Sequence, residues 1–275
     1  MASASTAAAA LHPDPTDPAL PIGDKLRAWR QRRRLSQLDL ALDAEISQRH
    51  LSFVESGRSS PSRDMVLRLA ATLEVPLRER NGLLLAAGYA PLYREQPLDA
   101  PAMAAARDAV ERILRAHMPH PALAVDRHWR MVAANEAVPP LMAGVAEPAL
   151  LAPPVNVMRL SLHPRGVAPR IANLPQWRAH LLERLRRQVA ASGDRVLAAL
   201  LEEVRALGAG LVEERSAEAV DGVAVPLELD TPRGRMSFLS TTMVFGTPTE
   251  VTLSELAIEA FYPADAETAA LLGGR

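Results

Sequence analysis

Apolar residues recur every three or four positions in five short stretches between residues 22 and 90, and polar or proline-containing breaks separate these stretches. This period predicts amphipathic helices that each bury one face. The breaks carry helix-starting residues, because Ser36, Ser47, Pro61–Ser62 and Pro76 precede the second to fifth stretches. Serine caps helix N-termini and proline suits the first turn, so the period and the caps agree. The sequence therefore predicts an all-α unit of five helices.

A different pattern follows residue 105. After a helical stretch at 103–118, two short apolar runs within 121–138 flank a polar turn at 126–128, which predicts a β-hairpin leading to a helix. The last two of three later strand-like runs alternate loosely between apolar and polar residues, as half-buried antiparallel strands do. The predicted fold class is α+β, an all-α bundle followed by an antiparallel sheet with flanking helices. The remaining predicted elements are helices at 174–192, 194–208 and 264–272 and strands at 223–232, 235–245 and 250–263.

The length of 275 residues favours two domains. The predicted order is a disordered tail at 1–21, a helical domain at 22–90, a linker at 91–105 and a second domain at 106–275. The tail lacks a basic segment and has alanine where a signal peptide needs strongly apolar residues. No run approaches the ~18 consecutive apolar residues of a membrane helix, so we expect a soluble protein with no membrane partner.

Composition argues against metal and enzyme chemistry. Cysteine is absent, which excludes disulfides, thiolate metal sites and cysteine nucleophiles and fits a cytoplasmic location. His117 and His120 are clustered, but the proline between them prevents a shared helical face and no carboxylate follows at metal spacing. Neither a serine nucleophile elbow nor a glycine-rich phosphate loop occurs. We expect no metal, no cofactor and no enzymatic activity.

Charge is unevenly distributed along the chain. The formal net charge is -1, yet residues 21–90 carry twelve Lys or Arg against eight Asp or Glu. A basic segment in a nearly neutral protein indicates that this segment meets a polyanion.

Residues 36–56 have the spacing of a helix-turn-helix, two short helices with few residues between them. In the second helix, Arg49, Ser52 and Phe53 share one face, and Gln48 lies one turn before Ser52. Arginine suits guanine, glutamine suits adenine, and a phenylalanine ring can contact a thymine methyl. The alternative is a helical bundle whose polar face only contacts water. An exposed phenylalanine beside an arginine is unexpected on such a face. The opposite, apolar stripe consists of Ile46, Leu51 and Val54.

The segment 35–75 resembles the lambda-repressor-like domain of the Xre family of repressors. The Leu-Ser-Gln that opens the second helix, the Glu-x-Gly that closes the third and the Pro-Ser that opens the fourth carry this resemblance. It implies a double-stranded DNA partner and a repressor in preference to an activator. It also implies an ion pair between Arg30 and Glu55, and it departs from the family at Glu45, where glycine is common. Such a residue at positive φ costs about 1 kcal/mol.

The resemblance places DNA contacts on eight residues. The base-reading positions fall on the second helix of the motif, with phosphate contacts at its N-terminus, in the preceding helix and in the following loop. The base-reading residues are Gln48, Arg49 and Phe53, with His50 and Ser52 beside them, and the phosphate-contacting residues are Gln37, Ser47 and Arg58.

The second domain resembles the PAS-like ligand-binding domain of the MmyB-like group of Xre regulators. The hairpin ALAVDRHWRMVAANEA and the runs NVMRLSLHPRG, FGTPTEVTLSEL and AFYPADAETA carry the resemblance, which spans nearly all of 24–272. It implies a small apolar ligand, such as a long-chain fatty acid, that modulates operator binding. The candidate ligand contacts are Trp129, Asn135, Asn156, Arg159, His163, Trp177, Phe238 and Phe245.

Each ligand candidate has a structural alternative. Tryptophan and phenylalanine are core residues more often than pocket lining, Asn135 can cap a helix, and His163 can cap or hydrogen-bond. Arg159 can bind a ligand carboxylate or a protein acid. The competing function for the whole domain is dimerisation or protein–protein interaction alone. A homodimer would place two recognition helices roughly 34 Å apart on a palindromic operator. A sensor should hold an apolar cavity of several hundred Å3, on the order of typical ligand pockets, and a pure dimeriser should be solidly packed.

Overall fold

The computed structural model of the chain describes residues 14–207 and 225–273. The described residues form two compact units, the first running up to Tyr93 and including Ala190–Gly193, the second comprising Arg94–Val189 and the described residues from Asp194 onwards. The predicted tail up to residue 13, the last residue of the predicted helix at 194–208 and the first two residues of the predicted strand at 223–232 lie outside the described residues.

The first unit is the predicted bundle of five helices. Its core contains the fully buried side chains of Trp29, Leu40, Leu51, Leu69 and Leu84, one from each helix. The apolar period read from the sequence therefore corresponds to the buried faces. The helices are α1 (Ile22–Arg32), α2 (Gln37–Asp43), α3 (Gln48–Glu55), α4 (Arg63–Thr72) and α5 (Leu77–Ala86).

The caps of α2 and α3 fix where these helices begin. Ser36 and Asp39 form a reciprocal capping box at α2, and the Ser47 hydroxyl accepts a hydrogen bond from the His50 amide at α3. Between the two helices Glu45 has φ of 54°, the left-handed conformation that glycine adopts without strain. The turn therefore keeps its shape despite a residue that adds strain there.

The residues before α1 differ from the predicted tail. The sequence predicts disorder up to residue 21, whereas 14–20 form turns against the buried ammonium of Lys25. Lys25 Nζ donates to the carbonyl oxygen of Pro15 at 3.1 Å and to that of Asp17. Burial lowers the pKa of Lys25, and Glu79 and Asp17 oppose this shift. The carbonyl oxygens replace the water that the ammonium loses.

The predicted linker also differs from the structure, because most of it is bonded to one unit or the other. The Asn81 side chain accepts from the amides of Leu92 and Tyr93 and donates to the Tyr93 carbonyl at 2.7 Å. Beyond the boundary, the Gln96 amide donates to Glu250 at 2.9 Å, within the second unit. The chain thus passes from one unit to the other at Tyr93–Arg94.

The second unit is built on a five-stranded antiparallel sheet in the order β2-β1-β5-β4-β3. This sheet with flanking helices confirms the predicted α+β class. The strands are β1 (Ala122–Val125), β2 (Met131–Ala134), β3 (Leu227–Thr231), β4 (Gly234–Val244) and β5 (Ala257–Pro263), and the helices are α6 (Ala104–Ala116), α7 (Pro139–Met142), α8 (Val157–Leu162), α9 (Leu174–Ser192), α10 (Arg195–Ala206), α11 (Val251–Ser254) and α12 (Ala266–Gly273).

One predicted strand is wrong in its first half. The run 250–263 contains α11 before β5, because the Glu250 carboxylate accepts from the Leu253 amide at 2.8 Å and caps a helical turn. Acidic N-caps start helices even where the apolar pattern alternates.

Each face of the sheet carries its own core. Leu123 and Phe238 point to the face that α8, α9 and α10 cover, whereas Ala124 and Ile258 point to the face that α6 covers with Val110. The first core is the larger one. It is the layer in which the second unit has room for a ligand.

Candidate functional site

The surface of α3 combines a buried stripe with a free polar face. Leu51 and Val54 are fully buried and attach the helix to the bundle. Gln48 and Arg49 are exposed on the other side, and Ser52 and Phe53 are half-exposed. The predicted stripe is thus buried at two positions, and Ile46 packs against the same core while partly buried.

Phe53 is flanked by two guanidinium groups. The Arg49 and Arg58 side chains lie 5.4 and 5.8 Å from the centre of its ring. Such cation–π contacts attract the cations to the ring face and hold all three side chains in place. Two donors for base edges or phosphates therefore flank one apolar ring on the exposed side of α3.

Beneath this surface lies a buried network around Glu55, the last residue of α3. Arg30 donates to both carboxylate oxygens of Glu55 at 2.7 and 2.8 Å, which is the ion pair that the resemblance implies. Gln37 Nε2 donates to the same carboxylate at 2.8 Å, and Arg27 donates to the Glu55 carbonyl at 2.6 Å. Bonding to Glu55 raises the pKa of Arg30. The network orients α3 relative to α1 and α2, and no sequence pattern pointed to the contact of Arg27.

The two other residues predicted to contact DNA, Ser47 and His50, have partners within the bundle. The Ser47 hydroxyl caps α3, and His50 Nε2 lies 3.2 Å from Met65 Sδ. All eight predicted DNA-contacting residues belong to α2, to α3 with its N-cap Ser47, and to the loop after α3. An exposed helix face with a helix N-terminus and several donors can contact a major groove and its phosphates.

The second unit contains an apolar cavity of about 110 Å3 in the larger core. Leu123, Leu229 and Phe261 line it from the sheet, and Met142 and Leu160 line it from α7 and α8. Ser161 adds the one polar side chain among the residues that line it. This cavity can hold an apolar group smaller than a benzene-sized ligand, for which ~150 Å3 suffices.

A larger, open groove of about 450 Å3 lies between α6 and the edge strand β2. Glu111, Arg115 and Glu136 give it a charged lining, with Asn135 at its base. The apolar cavity is open to solvent to a similar degree, so the groove differs from it in its charged lining and not in how far it is enclosed.

None of the eight predicted ligand contacts is among the residues that line the apolar cavity. Arg159 forms a forked ion pair with Glu203 at 2.6 and 2.7 Å, which raises the pKa of Arg159. His163 ends α8 and accepts from the Arg165 amide at 3.1 Å. Phe238 is fully buried in the larger core, and Phe245 is half-buried in the smaller one.

The two asparagines among these candidates tie the backbone together. Asn135 accepts from the Ala122 amide at 3.1 Å and donates to the carbonyls of Leu114 and His120. Asn156 caps α8 and donates to the His128 carbonyl at 2.9 Å. Both side chains are buried and meet the hydrogen-bonding needs of surrounding backbone.

The two tryptophans support neighbouring polar groups. Trp129, at φ of 64°, donates to Gln188 at 2.7 Å and lies 4.5 Å from the Arg184 guanidinium. Trp177 Nε1 donates to the Ser161 hydroxyl at 3.1 Å, so it contacts the cavity through that residue. Ser161 was not predicted as a cavity-lining residue, because a single serine in an apolar helix does not indicate a binding site.

A second charged cluster joins the hairpin turn to α10. His128 Nε2 lies 2.9 Å from Asp194 Oδ2, and Asp194 also accepts from the amides of Val196 and Leu197. Burial raises the pKa of Asp194, but the hydrogen bonds from His128 and Leu197 outweigh it and set the pKa to about 2. The cluster fixes the start of α10.

Among residues 14–207 and 225–273, no group of three or more His, Cys, Asp or Glu could hold a metal ion. In the same part of the chain no helix is long and apolar enough to cross a membrane.

An exposed helix-turn-helix face in one unit and an apolar cavity in a separate α+β unit define the class of DNA-binding transcription regulators. Comparison with known families agrees, since residues 26–80 match the helix-turn-helix model and residues 106–273 match the MmyB-like transcription regulator ligand binding domain. The chain therefore belongs to the MmyB-like transcription regulators. No curated protein matches it.

Proposed function

We propose that the second unit binds a small apolar ligand and that this binding changes the affinity of the first unit for its operator. A long-chain fatty acid is the ligand class that the family resemblance favours. A ligand shifts DNA affinity only if it binds the DNA-competent and DNA-incompetent states unequally.

The observation that carries this proposal is the apolar cavity in the larger core. Its volume of about 110 Å3 is smaller than the several hundred Å3, on the order of typical ligand pockets, that a sensor domain should hold. A larger ligand must therefore widen it. Met131 and Met142 line the cavity and would allow it to widen, because methionine side chains repack easily. The short helix α7, which supplies Leu141 and Met142, is the element that moves with the least loss of packing.

For the DNA site, we propose that α3 lies in the major groove. Arg49 contacts guanine, Gln48 contacts adenine and Phe53 contacts a thymine methyl, with Ser52 and His50 beside them. Gln37, Ser47 and Arg58 contact phosphates. The exposure of α3 opposite its buried stripe supports this orientation. We also propose that the protein binds a palindromic operator as a homodimer, since a single helix-turn-helix reads only a half-site. The same proposal places the protein in the cytoplasm.

The second candidate function is dimerisation by the C-terminal unit without a ligand. The small volume of the cavity favours this alternative, because a pure interaction domain needs no enclosed space.

Native mass spectrometry of the purified full-length protein, with lipid extraction, decides between the two candidates. A co-purifying apolar molecule that alters operator affinity in a binding assay supports the sensor. Val157→Phe, which fills the cavity from α8, should abolish ligand binding while the protein stays folded. Val196→Phe on the exposed side of α10 is the matched control and should leave binding unchanged. Ligand-free protein whose operator affinity no apolar molecule changes would contradict the sensor proposal.

A further inference from the structure

Arg170 ends the 3₁₀ turn Ala168–Arg170, beside the wall of the apolar cavity. Its chain neighbour Ile171 lines the cavity and bridges to Leu229 of β3, which also lines it. The Arg170 guanidinium donates through Nη2 to the carbonyl oxygen of Leu141, a third lining residue. Arg170 is therefore linked to two residues that line the cavity, to Ile171 along the chain and to Leu141 through this hydrogen bond.

The Arg170 side chain is partly buried and has few polar partners among the described residues. Arg170 Nε is buried and has no hydrogen-bond partner, and the side chain forms no ion pair with any carboxylate of the described residues. Burial lowers the pKa of Arg170, and no neighbouring acid opposes this shift. An arginine keeps its charge in proteins, and its buried Nε donor has lost water without gaining a hydrogen-bond acceptor.

Other arginines of the second unit differ in this respect. Arg159 forks onto Glu203, Arg165 contacts Glu147 at 3.0 Å, and Arg184 contacts Glu259 at 2.5 Å. Each of these cations has a carboxylate of the protein. Arg170 has the same set of donors, but its one acceptor is a backbone carbonyl and not a carboxylate.

We propose that Arg170 binds the carboxylate of an amphipathic acid whose apolar tail occupies the cavity. This inference rests on the proposed ligand-binding function and adds the residue that selects the head group of the ligand. A planar guanidinium binds a carboxylate through two parallel hydrogen bonds, and Nε is one of the donors in that arrangement. The unused Nε of Arg170 is the donor that such a ligand would satisfy. Ser161 supplies a second polar contact, since its hydroxyl accepts from Trp177 and retains a hydrogen to donate.

The test compares ligands that share a tail and differ in the head. Decanoic acid, methyl decanoate, 1-decanol and decylamine are titrated into delipidated full-length protein by isothermal titration calorimetry at neutral pH. We expect the acid to bind at least about tenfold more tightly than the alcohol and the ester, because hydrogen bonds to charged groups are the strong ones. The amine should bind most weakly.

The variants then assign this preference to a residue. Arg170→Gln should abolish the preference for acid over alcohol and leave the affinity for 1-decanol unchanged. Arg159→Gln is the matched control and should keep the preference. Arg170→Lys retains the charge without the fork, so it should reduce the ratio in part, and it serves as the readout where the glutamine variant does not fold.

The outcomes separate the two levels of the proposal. If neither the acid nor the alcohol binds the wild-type protein, the ligand-binding function itself is wrong. If both bind wild type with equal affinity, the apolar site stands and the carboxylate anchor is overturned. If the acid preference survives in Arg170→Gln and Arg170→Lys, another residue anchors the acid and the assignment to Arg170 fails.

Discussion

Arg30 of α1 donates to both carboxylate oxygens of Glu55 at the end of α3, and the Glu55 side chain is fully buried. This pair connects α3, the helix that we propose to lie in the major groove, to the rest of the bundle. Two further hydrogen bonds reach Glu55, from Gln37 to its carboxylate and from Arg27 to its backbone carbonyl. Arg27 Nε also lies 3.7 Å from the Glu55 carboxylate. The exposed face of α3 therefore depends on a charge that the solvent does not reach.

Removing that charge should destabilise the first unit. Glu55→Ala leaves the Arg30 guanidinium partly buried without its acid, which typically costs about 3 kcal/mol or more. Hydrogen exchange of the α1 and α3 amides in the full-length protein measures the loss locally. Glu183→Ala, which breaks an exposed pair with Arg187, should leave the exchange of these amides unchanged. Equal effects of the two substitutions would contradict the structural role of Glu55.

Arg49 and Gln37 should have different effects on DNA binding. Arg49→Ala should lower discrimination between operator and random DNA by about tenfold, since a bidentate base contact contributes roughly 1–3 kcal/mol. Gln37→Ala should weaken binding to both DNAs alike, because phosphate contacts carry no sequence information.

Fluorescence anisotropy at constant salt measures both affinities. Arg112→Ala on α6 makes the same charge change on an exposed residue of the second unit and is the control. An unchanged specificity ratio in Arg49→Ala would show that Arg49 does not read bases.

Phe53 should make the operator sensitive to a thymine methyl group. Replacing the contacted thymine by uracil removes only that methyl and should weaken wild-type binding by about fivefold, the equivalent of roughly 1 kcal/mol. In Phe53→Ala the same replacement should have no effect. Uracil scanning of a selected operator with both proteins gives this double-mutant cycle. A uracil penalty of equal size in both proteins would exclude the contact.

Asp194 should make the second unit sensitive to acid. Its pKa of about 2 in the folded protein lies below the ordinary 3.8, so its stabilising contribution is complete above pH 3.8 and is lost as the pH falls through about 2. The difference in unfolding free energy between wild type and Asp194→Asn should therefore shrink as the pH falls from about 4 to about 2. Urea unfolding at a series of pH values measures it, and a difference independent of pH down to 2 would refute the assignment.

The sequence predicted most of the first unit because local rules decide it. Ser36, Ser47 and the apolar period mark the helix boundaries without reference to distant residues. The Arg30–Glu55 pair came from resemblance to a family, since no local rule pairs residues that far apart. The contacts of Gln37 and Arg27 with Glu55 depend on the crossing of α1, α2 and α3, which the sequence pattern does not specify.

The ligand region was less predictable because side-chain direction there depends on register. The pairing of β1 with β2 shifts between Ala124 and Val125, so alternation cannot tell which residues face the larger core. Trp129 adopts a left-handed conformation that nothing local demands. Ser161 accepts a hydrogen bond from Trp177, and the Nε of Arg170 has no acceptor. Both facts depend on contacts between residues that are distant from one another or absent, so they become visible only in the structure.

The buried ammonium of Lys25 has a practical consequence for anyone who isolates the DNA-binding unit. A fragment that starts at residue 22, where the helical pattern begins, would remove the Pro15 and Asp17 carbonyls and leave the cation without acceptors. A fragment that starts at residue 14 keeps them. The acceptors that Lys25 requires thus place the start of this unit at residue 14, eight residues before its first helix.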